Sequence, residues 1–455
     1  MNSCDTMALT ASAVAVGQNM LAKNSDRPTA EAQTLHFYPA RAGGAGVTVQ
    51  MTDLCIPDED PTYAVIGSQP YWTWGFEMGY NEKGVMIGNE AQGSKNAKET
   101  ETGILGLDLL RLGLERGATA REALDVITAL LARYGQNANA SQLIDRRYEN
   151  AYLIADPKEI WLLETAGREW VASRVEDRLG ISNCYQIRDK FALSSPNVER
   201  VARENRWLAP DEKFDFAKAY TKPAIRQPLA VPRMRRLNKL LRAREAHDTA
   251  SIKAILRDHY EGEIISERFG ASMGTFLSVC MHMREWGDSE TTSSLIATEN
   301  ETLGVVSRFA LAQPCHSVYL PIYFTGYLPK KVSEGGRYFS EDSLWWKCKR
   351  LSLAVTVDER LSEGLSARLA ALEAEIEEKA QAAEREAAAL FLTGESSRAK
   401  ALLNRTMDEA VALFESLCDG EFARISALIR AKGGLYGPQK ENIEAYCAYA
   451  KMSVC

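Results

Sequence analysis

Cys4-Asp5-Thr6-Met7-Ala8-Leu9-Thr10, followed through Ala11–Gln18 by Asn19-Met20-Leu21-Ala22-Lys23-Asn24-Ser25-Asp26-Arg27-Pro28, opens this chain and decides how the rest is read. The segments 5–10 and 19–23 have the make-up of two strands joined as a hairpin. Antiparallel pairing of the two brings Cys4 close to Lys23 and Asn24, with Asp26 just beyond. A cysteine this near the start becomes N-terminal after one short cut. It then carries a thiol and an α-amine on one residue, and an α-amine with a pKa of about 8 is a base within reach of neutral pH. Asn2 is too large for ordinary removal of the initiator Met, so the expectation is that the chain cuts itself between Ser3 and Cys4, making residues 1–3 a short propeptide.

Outward from that hairpin the first half reads as a meander of strands with inserted helices. Strands are expected at 47–52, 63–67, 84–89, 152–155, 160–165 and 169–175, with polar turns between them. One helix is expected over 106–115. The next has Thr119 as N-cap, Glu122 three residues on to form a capping box, and Gly135 as its stop. From about Thr356 the composition turns to Ala, Glu, Leu, Arg and Lys. Leu365, Leu369, Leu372 and Ile376 form a short heptad seam that fades into alanines, and Thr393-Gly394-Glu395-Ser396 breaks the region into at least two helices. The expected domains are therefore 4–355, a catalytic domain, and 356–455, a helical region packed on that domain or forming a homo-oligomer contact.

Composition removes several classes of function. With 45% hydrophobic and 25% charged residues, the 455-residue chain has ordinary globular proportions. A net charge of −7, without a basic cluster, argues against nucleic acid as partner. No basic-then-apolar leader and no apolar run of about eighteen residues is present, so neither secretion nor membrane insertion is expected. Nine cysteines at irregular spacing, with no Cys-x-x-Cys pair, argue against a disulfide framework or a zinc site, and the expected location is the reducing cytoplasm. Phosphate-loop, dinucleotide, His-Glu-x-x-His and Gly-x-Ser-x-Gly patterns are absent. Cys280 and His282 have the chemistry of metal ligands but lack a third nearby in sequence, so no metal and no other cofactor is expected. Cys315-His316 is set aside as a dyad, since neighbours on a strand point to opposite faces.

An N-terminal cysteine nucleophile needs a group to hold its amine, a cation beside the thiol, and donors for the developing oxyanion. Asp26 suits the first role and Lys23 the second. Asn89 and Asn183, at two strand ends, supply side-chain amides. Taken singly, each has an ordinary structural explanation, such as a turn or a loop.

Taken together, Cys4-Asp5-Thr6, Lys23-Asn24-Ser25-Asp26-Arg27-Pro28, Tyr71-Trp72-Thr73-Trp74-Gly75-Phe76-Glu77-Met78-Gly79, Asn81-Glu82-Lys83-Gly84-Val85 and Gly88-Asn89-Glu90-Ala91 resemble the secernins of the C69 dipeptidase family, in the N-terminal nucleophile hydrolase superfamily. The stretches 107–117, 163–167 and 181–183 continue the likeness, and 280–282, 291–294 and 314–318 fit it less distinctively; it covers roughly residues 4–325 and is thin in the C-terminal helices. The resemblance implies an α+β fold, a four-layer αββα sandwich of two antiparallel sheets with a C-terminal helical extension. It implies amide hydrolysis through an acyl-thioester on Cys4, with Asp26 partnering the amine, Asn89 and Asn183 around the oxyanion and amine, and Lys23 where related hydrolases carry Arg. It also implies a second, later arginine, for which Arg284 is the nominee. Tyr71, Trp72 and Trp74 are candidates to line the substrate pocket, or to be buried as alternate residues of one strand. The expected activity is hydrolysis of a small peptide, most simply a dipeptide. The alternatives are an acylase-type hydrolase of other C–N bonds and a non-hydrolytic interaction protein with a modified N-terminus.

Overall fold

A computed structural model describes residues 4–96, 103–222, 227–263, 277–283 and 285–455 of the chain. In chain order the first strands are β1 (Asp5–Leu9), β2 (Met20–Pro28), β3 (Gln33–Tyr38), β4 (Thr48–Gln50), β5 (Cys55–Pro57), β6 (Val65–Pro70), β7 (Met78–Asn81) and β8 (Met86–Gln92). Helices α1 (Gly106–Arg116) and α2 (Ala120–Tyr134) follow, then β9 (Glu149–Ala155), β10 (Ile160–Ala166), β11 (Glu169–Arg174), β12 (Arg178–Ile181) and β13 (Leu193–Ser194). Next come α3 (Val198–Glu204), α4 (Phe216–Tyr220), α5 (Gln227–Leu241) and α6 (Thr249–Leu256). The last part holds β14 (Ser289–Asn300), β15 (Gly304–Leu311), β16 (Leu320–Tyr323), α7 (Lys330–Ser333), α8 (Leu344–Thr356), α9 (Leu365–Leu392), α10 (Ser396–Ala431) and α11 (Lys440–Ala450). The chain forms two compact units, Ser3–Lys23 with Tyr38–Ser251, and Asn24–Phe37 with Ile252–Cys455.

The unit containing Cys4 is built in four layers. Its large sheet runs β13-β11-β10-β9-β8-β7-β6, antiparallel throughout. One face is covered by α1 and α2, whose Leu109, Leu112, Leu124, Ile127 and Leu131 pack with Ile87, Tyr152, Ile154 and Leu163 of the strands. The expected N-cap and stop of α2 form as read. The Thr119 side chain accepts from the Glu122 N–H, and Gly135 ends the helix at φ 71°. The Glu122 carboxylate reaches back to the Ala118 N–H at 2.8 Å, one residue earlier than the capping box calls for.

The other face of that sheet meets the second sheet, β12-β1-β2. The two come so close at Gly88 that a Cβ there would lie 3.0 Å from Thr6 Cγ2 and 3.1 Å from Lys23 Cδ. Any larger residue would need Thr6 or Lys23 to give by a few tenths of an ångström. Helix α5 closes the stack on the outer side of β12 and β1. A Cβ on Gly180 would meet Leu237 at 2.6 Å, and the Asn238 side chain bonds both the N–H and the C=O of Gly180. The sequence of layers is helix, sheet, sheet, helix, and the fold class is α+β with two antiparallel sheets.

The second unit carries the far end of β2 beside β14, with β14, β15 and β16 paired antiparallel. Helices α8, α9 and α10 pack on its strands. The seam Leu365, Leu369, Leu372 and Ile376 is buried inside this unit and continues as Ala380, Ala383 and Ala387, which let the facing α10 approach closely. Acidic residues of α9 tie it down as well. Glu377 pairs with Arg308 and Lys253, and Glu373 with Arg257.

Two local expectations fail. Tyr71–Gly75 forms the turn between β6 and β7 and not a strand, held by Thr73 Oγ1 donating to the carbonyls of Pro70 and Gly75. Pro314–His316 is a tight helical turn, because the proline pre-sets φ at its start, so Cys315 and His316 are not strand neighbours. Their side chains still part company. The Cys315 thiol approaches His282 Nε2 at 3.3 Å, and His316 Nδ1 approaches Ser352 Oγ at 2.9 Å.

Candidate active site

Strand alternation sets the directions of the first residues. Cys4 and Thr6 face one way and Asp5 the other. Thr6 pairs with Ile181 across β1 and β12, so Ser182 and Asn183, which follow β12, run beside the start of β1. The Cys4 backbone N–H donates to Asn183 Oδ1 at 3.0 Å, and the Cys4 carbonyl accepts from Ser182 Oγ at 3.2 Å. Asn183 is held in that orientation because its amide nitrogen donates to the Ala91 carbonyl at 2.8 Å. Cys4 and Asn183, expected to act together, are in contact and buried.

A third residue completes this group, and the sequence reading missed it. Arg233 of α5 donates through Nη2 to Asn183 Oδ1 at 2.8 Å and to Ser182 Oγ at 2.9 Å, and through Nε to Asp5 Oδ2 at 3.1 Å. Its fork thus holds the backbone of Cys4 through two side chains. Arg284, nominated as the later arginine, lies outside the described residues. A signal for Arg233 was available in the sequence. Ala230, Arg233, Leu237 and Leu241 recur at helical spacing and are all buried, so a cation sits in the apolar stripe of α5. A charge in such a stripe is there for a buried partner. Here the partner is Asp5, whose carboxyl burial pushes above its usual range while Arg233 and Ser182 pull it back.

On the opposite face of β1 a second buried group forms around Lys23. Its ammonium donates to the Asn89 carbonyl at 2.6 Å and lies 3.5 Å from Glu90 and 3.9 Å from Glu77. The charge of Lys23 is therefore shared among β8 and the residue before β7. The Asn89 amide lies between Asn150, whose Oδ1 is 3.1 Å from its nitrogen, and Glu77; turned over, that nitrogen would donate to the Glu77 carboxylate at 2.8 Å and to the Glu77 carbonyl at 3.0 Å. Thr6 Oγ1 donates to Glu90 at 2.5 Å. Burial pushes the Glu90 carboxyl up to about 8, Lys23 opposing the rise.

The sign of that shift makes a prediction. A carboxyl that holds its proton in the folded chain contributes stability fully present below about 4.5 and lost as pH rises through about 8. Each pH unit crossed costs about 1.4 kcal/mol at most. Glu90→Gln imitates the protonated form at every pH. Its Tm is expected to fall less than the wild type's between pH 5 and pH 8.5, and parallel Tm profiles for the two chains would refute the assignment.

Asp26 belongs to the other unit, where its Oδ1 accepts from Thr291 Oγ1 at 2.6 Å. Of the three aromatic candidates, Trp74 stacks on the Arg111 guanidinium at 3.9 Å, with Tyr38 at 3.7 Å to the same group, and so belongs to the packing of α1. Tyr71 donates to Gln142 at 2.6 Å, and both Tyr71 and Trp72 are half-buried.

The sequence pattern of peptidase family C69 matches residues 3–233, a span that takes in Cys4, Asn183 and Arg233. The chain belongs to peptidase family C69. As a C69 member it is a hydrolase, a cysteine-type enzyme acting on amide bonds. Among solved structures, two variants of the conjugated bile acid hydrolase from Clostridium perfringens align with 74% and 73% of the C69 chain and 95% of their own, at 12% identity and TM-scores of 0.39 and 0.40. The N-acylethanolamine-hydrolyzing acid amidase ortholog of Caenorhabditis elegans aligns with 40% of the chain and 71% of its own, at 12% identity and a TM-score of 0.25. No helix among the described residues is long and apolar enough to cross a membrane.

Proposed function

We propose that this C69 hydrolase is a dipeptidase that works through an acyl-thioester on Cys4 after Met1-Asn2-Ser3 has been removed. The observation that carries the proposal is the capture of the Cys4 nitrogen by Asn183 Oδ1, an acceptor itself fixed by Arg233 and by the Ala91 carbonyl. An α-amine formed at that nitrogen keeps the contact by donating one N–H, which leaves its lone pair to take the thiol proton. The Arg233 cation one contact away disfavours a second positive charge and so keeps the amine a neutral base near pH 7.

The thiolate then adds to the peptide carbonyl. The tetrahedral intermediate collapses as the C–N bond breaks, and the ammonium gives its proton to the departing nitrogen. Water attacks the thioester, its proton passes to the amine, and the freed carboxylic acid leaves Cys4 as a thiol. Asp26 as a partner of the amine, Asn89 near the oxyanion, Lys23 as a source of positive charge, and Tyr71 and Trp72 as substrate contacts join this scheme through the family resemblance.

The test combines intact mass with turnover. The purified chain is expected to begin at Cys4 with an unmodified amine and to cleave members of a dipeptide panel. An active chain that retains Met1 would overturn the mechanism. Turnover of acyl amides with none of dipeptides would overturn the substrate class.

A further inference from the structure

We propose that His259, Cys280, His282 and Cys315 form a tetrahedral zinc site. The inference concerns the unit that does not contain Cys4 and stands apart from the peptidase chemistry. Among the described residues these four form a group whose ligand atoms all lie within 4.8 Å of one another. His282 Nε2 is the hub, 3.1 Å from His259 Nε2, 3.3 Å from Cys315 Sγ and 3.8 Å from Cys280 Sγ. In a tetrahedron with Zn–N of about 2.0 Å and Zn–S of about 2.3 Å, neighbouring ligand atoms are separated by about 3.3–3.8 Å. The three distances around His282 fall on or near that range.

Hydrogen bonding alone does not account for this geometry. A ring nitrogen either donates one proton or accepts one, yet His282 Nε2 faces three groups at once. A divalent ion satisfies all three through their lone pairs. Two thiolates with two imidazoles are a donor set that suits zinc, and the two thiolate charges cancel those of the ion, which matters where Cys280 and His282 are almost wholly buried.

The surroundings are those of a built site. Cys280 and His282 flank Met281 and send both side chains to the one cluster, while the Met281 carbonyl accepts from the Thr291 N–H at 3.0 Å. That segment is tied to the His259 loop by the Cys280 N–H donating to the Asp258 carbonyl at 3.2 Å. The outer nitrogen of His259, Nδ1, lies 3.3 Å from the Glu261 carboxylate, which fixes the ring with Nε2 pointing inward. The ligands come from the loop after α6, the segment before β14 and the turn between β15 and β16. An ion here would staple three connections of one unit, and four protein ligands leave no position open for a substrate, so the role is structural.

The experiment uses the full-length chain purified under reducing conditions. Zinc content by plasma mass spectrometry is expected at about one equivalent per chain. Cobalt substituted for zinc is expected to show the intense visible bands of a tetrahedral ion with thiolate-to-metal charge transfer. Cys315→Ser is expected to lose the metal, whereas Cys55→Ser, at an exposed position, keeps it. A folded, reduced wild-type chain that neither retains zinc nor takes up cobalt in tetrahedral form would overturn the proposal. So would a Cys315→Ser variant with undiminished zinc, or a Cys280–Cys315 disulfide in the freshly purified protein. The cobalt spectrum needs no variant, so a substitution that fails to fold does not remove the test.

Discussion

Cys4→Ala is expected to lower kcat/KM for any dipeptide the chain cleaves by at least about 10³-fold, with the fold intact. The thiol is the atom that carries the acyl group in the proposed mechanism, and an alanine methyl has no lone pair to replace it. The structural cost is small. Cys4 is buried, but removal of one sulfur atom leaves little space behind, a loss of about 1 kcal/mol. Circular dichroism and Tm separate the two effects. The same variant tests processing, because a cut that depends on the Cys4 thiol leaves Met1-Asn2-Ser3 attached and visible in the intact mass. Undiminished hydrolysis by Cys4→Ala would remove Cys4 from the mechanism altogether.

Arg233→Met should cost about 3–5 kcal/mol of stability, the range for breaking one side of a buried ion pair. Methionine fills much of the volume, so the loss arises chiefly from what the guanidinium leaves behind: the Asp5 carboxylate, Asn183 Oδ1 and Ser182 Oγ, all buried. The Asp5 carboxyl, already raised by burial, escapes part of that cost by taking up a proton. The loss therefore grows as pH rises and shrinks in acid. Asp5→Asn combined with Arg233→Met is expected to be more stable than Arg233→Met alone, since the second change removes the stranded charge. Arg233→Lys keeps the cation without the fork and should fall between them. Thermal unfolding of the four chains at two pH values reads all of this. An Arg233→Met variant within about 0.5 kcal/mol of wild type would show that the fork carries little.

Much of the Cys4 unit could be read directly from its residues. The hairpin start, the meander of β8–β11 and the caps of α2 are written in alternation, turn residues and cap spacing, all of which act over a few positions. The second unit was harder. Strand β14 begins Ser289-Glu290-Thr291-Thr292-Ser293-Ser294, polar yet wholly buried, so it lacks the apolar alternation that announces a strand. Its hydroxyls are satisfied by distant partners, Thr291 by Asp26 and Thr292 by Gln33. Helix α8 buries Lys347 and Lys349 along with Trp345 and Trp346, which erases an amphipathic stripe. Tyr71–Gly75 has the composition of a strand and forms a turn because Thr73 bonds its own neighbours' carbonyls.

The sequence by itself determined the family, the nucleophile candidate at Cys4, the partner amide Asn183 and the antiparallel character of the sheets. Each rests on a local pattern or on a run of motifs in order along the chain. Only the tertiary structure decided that an arginine, Arg233, is in contact with Asn183 and Asp5, and that His259 and Cys315 join Cys280 and His282. The physical reason is the same in both cases. A buried charge or a bare ligand is tolerated only with a partner, and that partner is set by how strands and helices far apart in the chain pack together. A periodicity of three or four residues can place a charge in a buried stripe, as it does Arg233, but it does not name the partner.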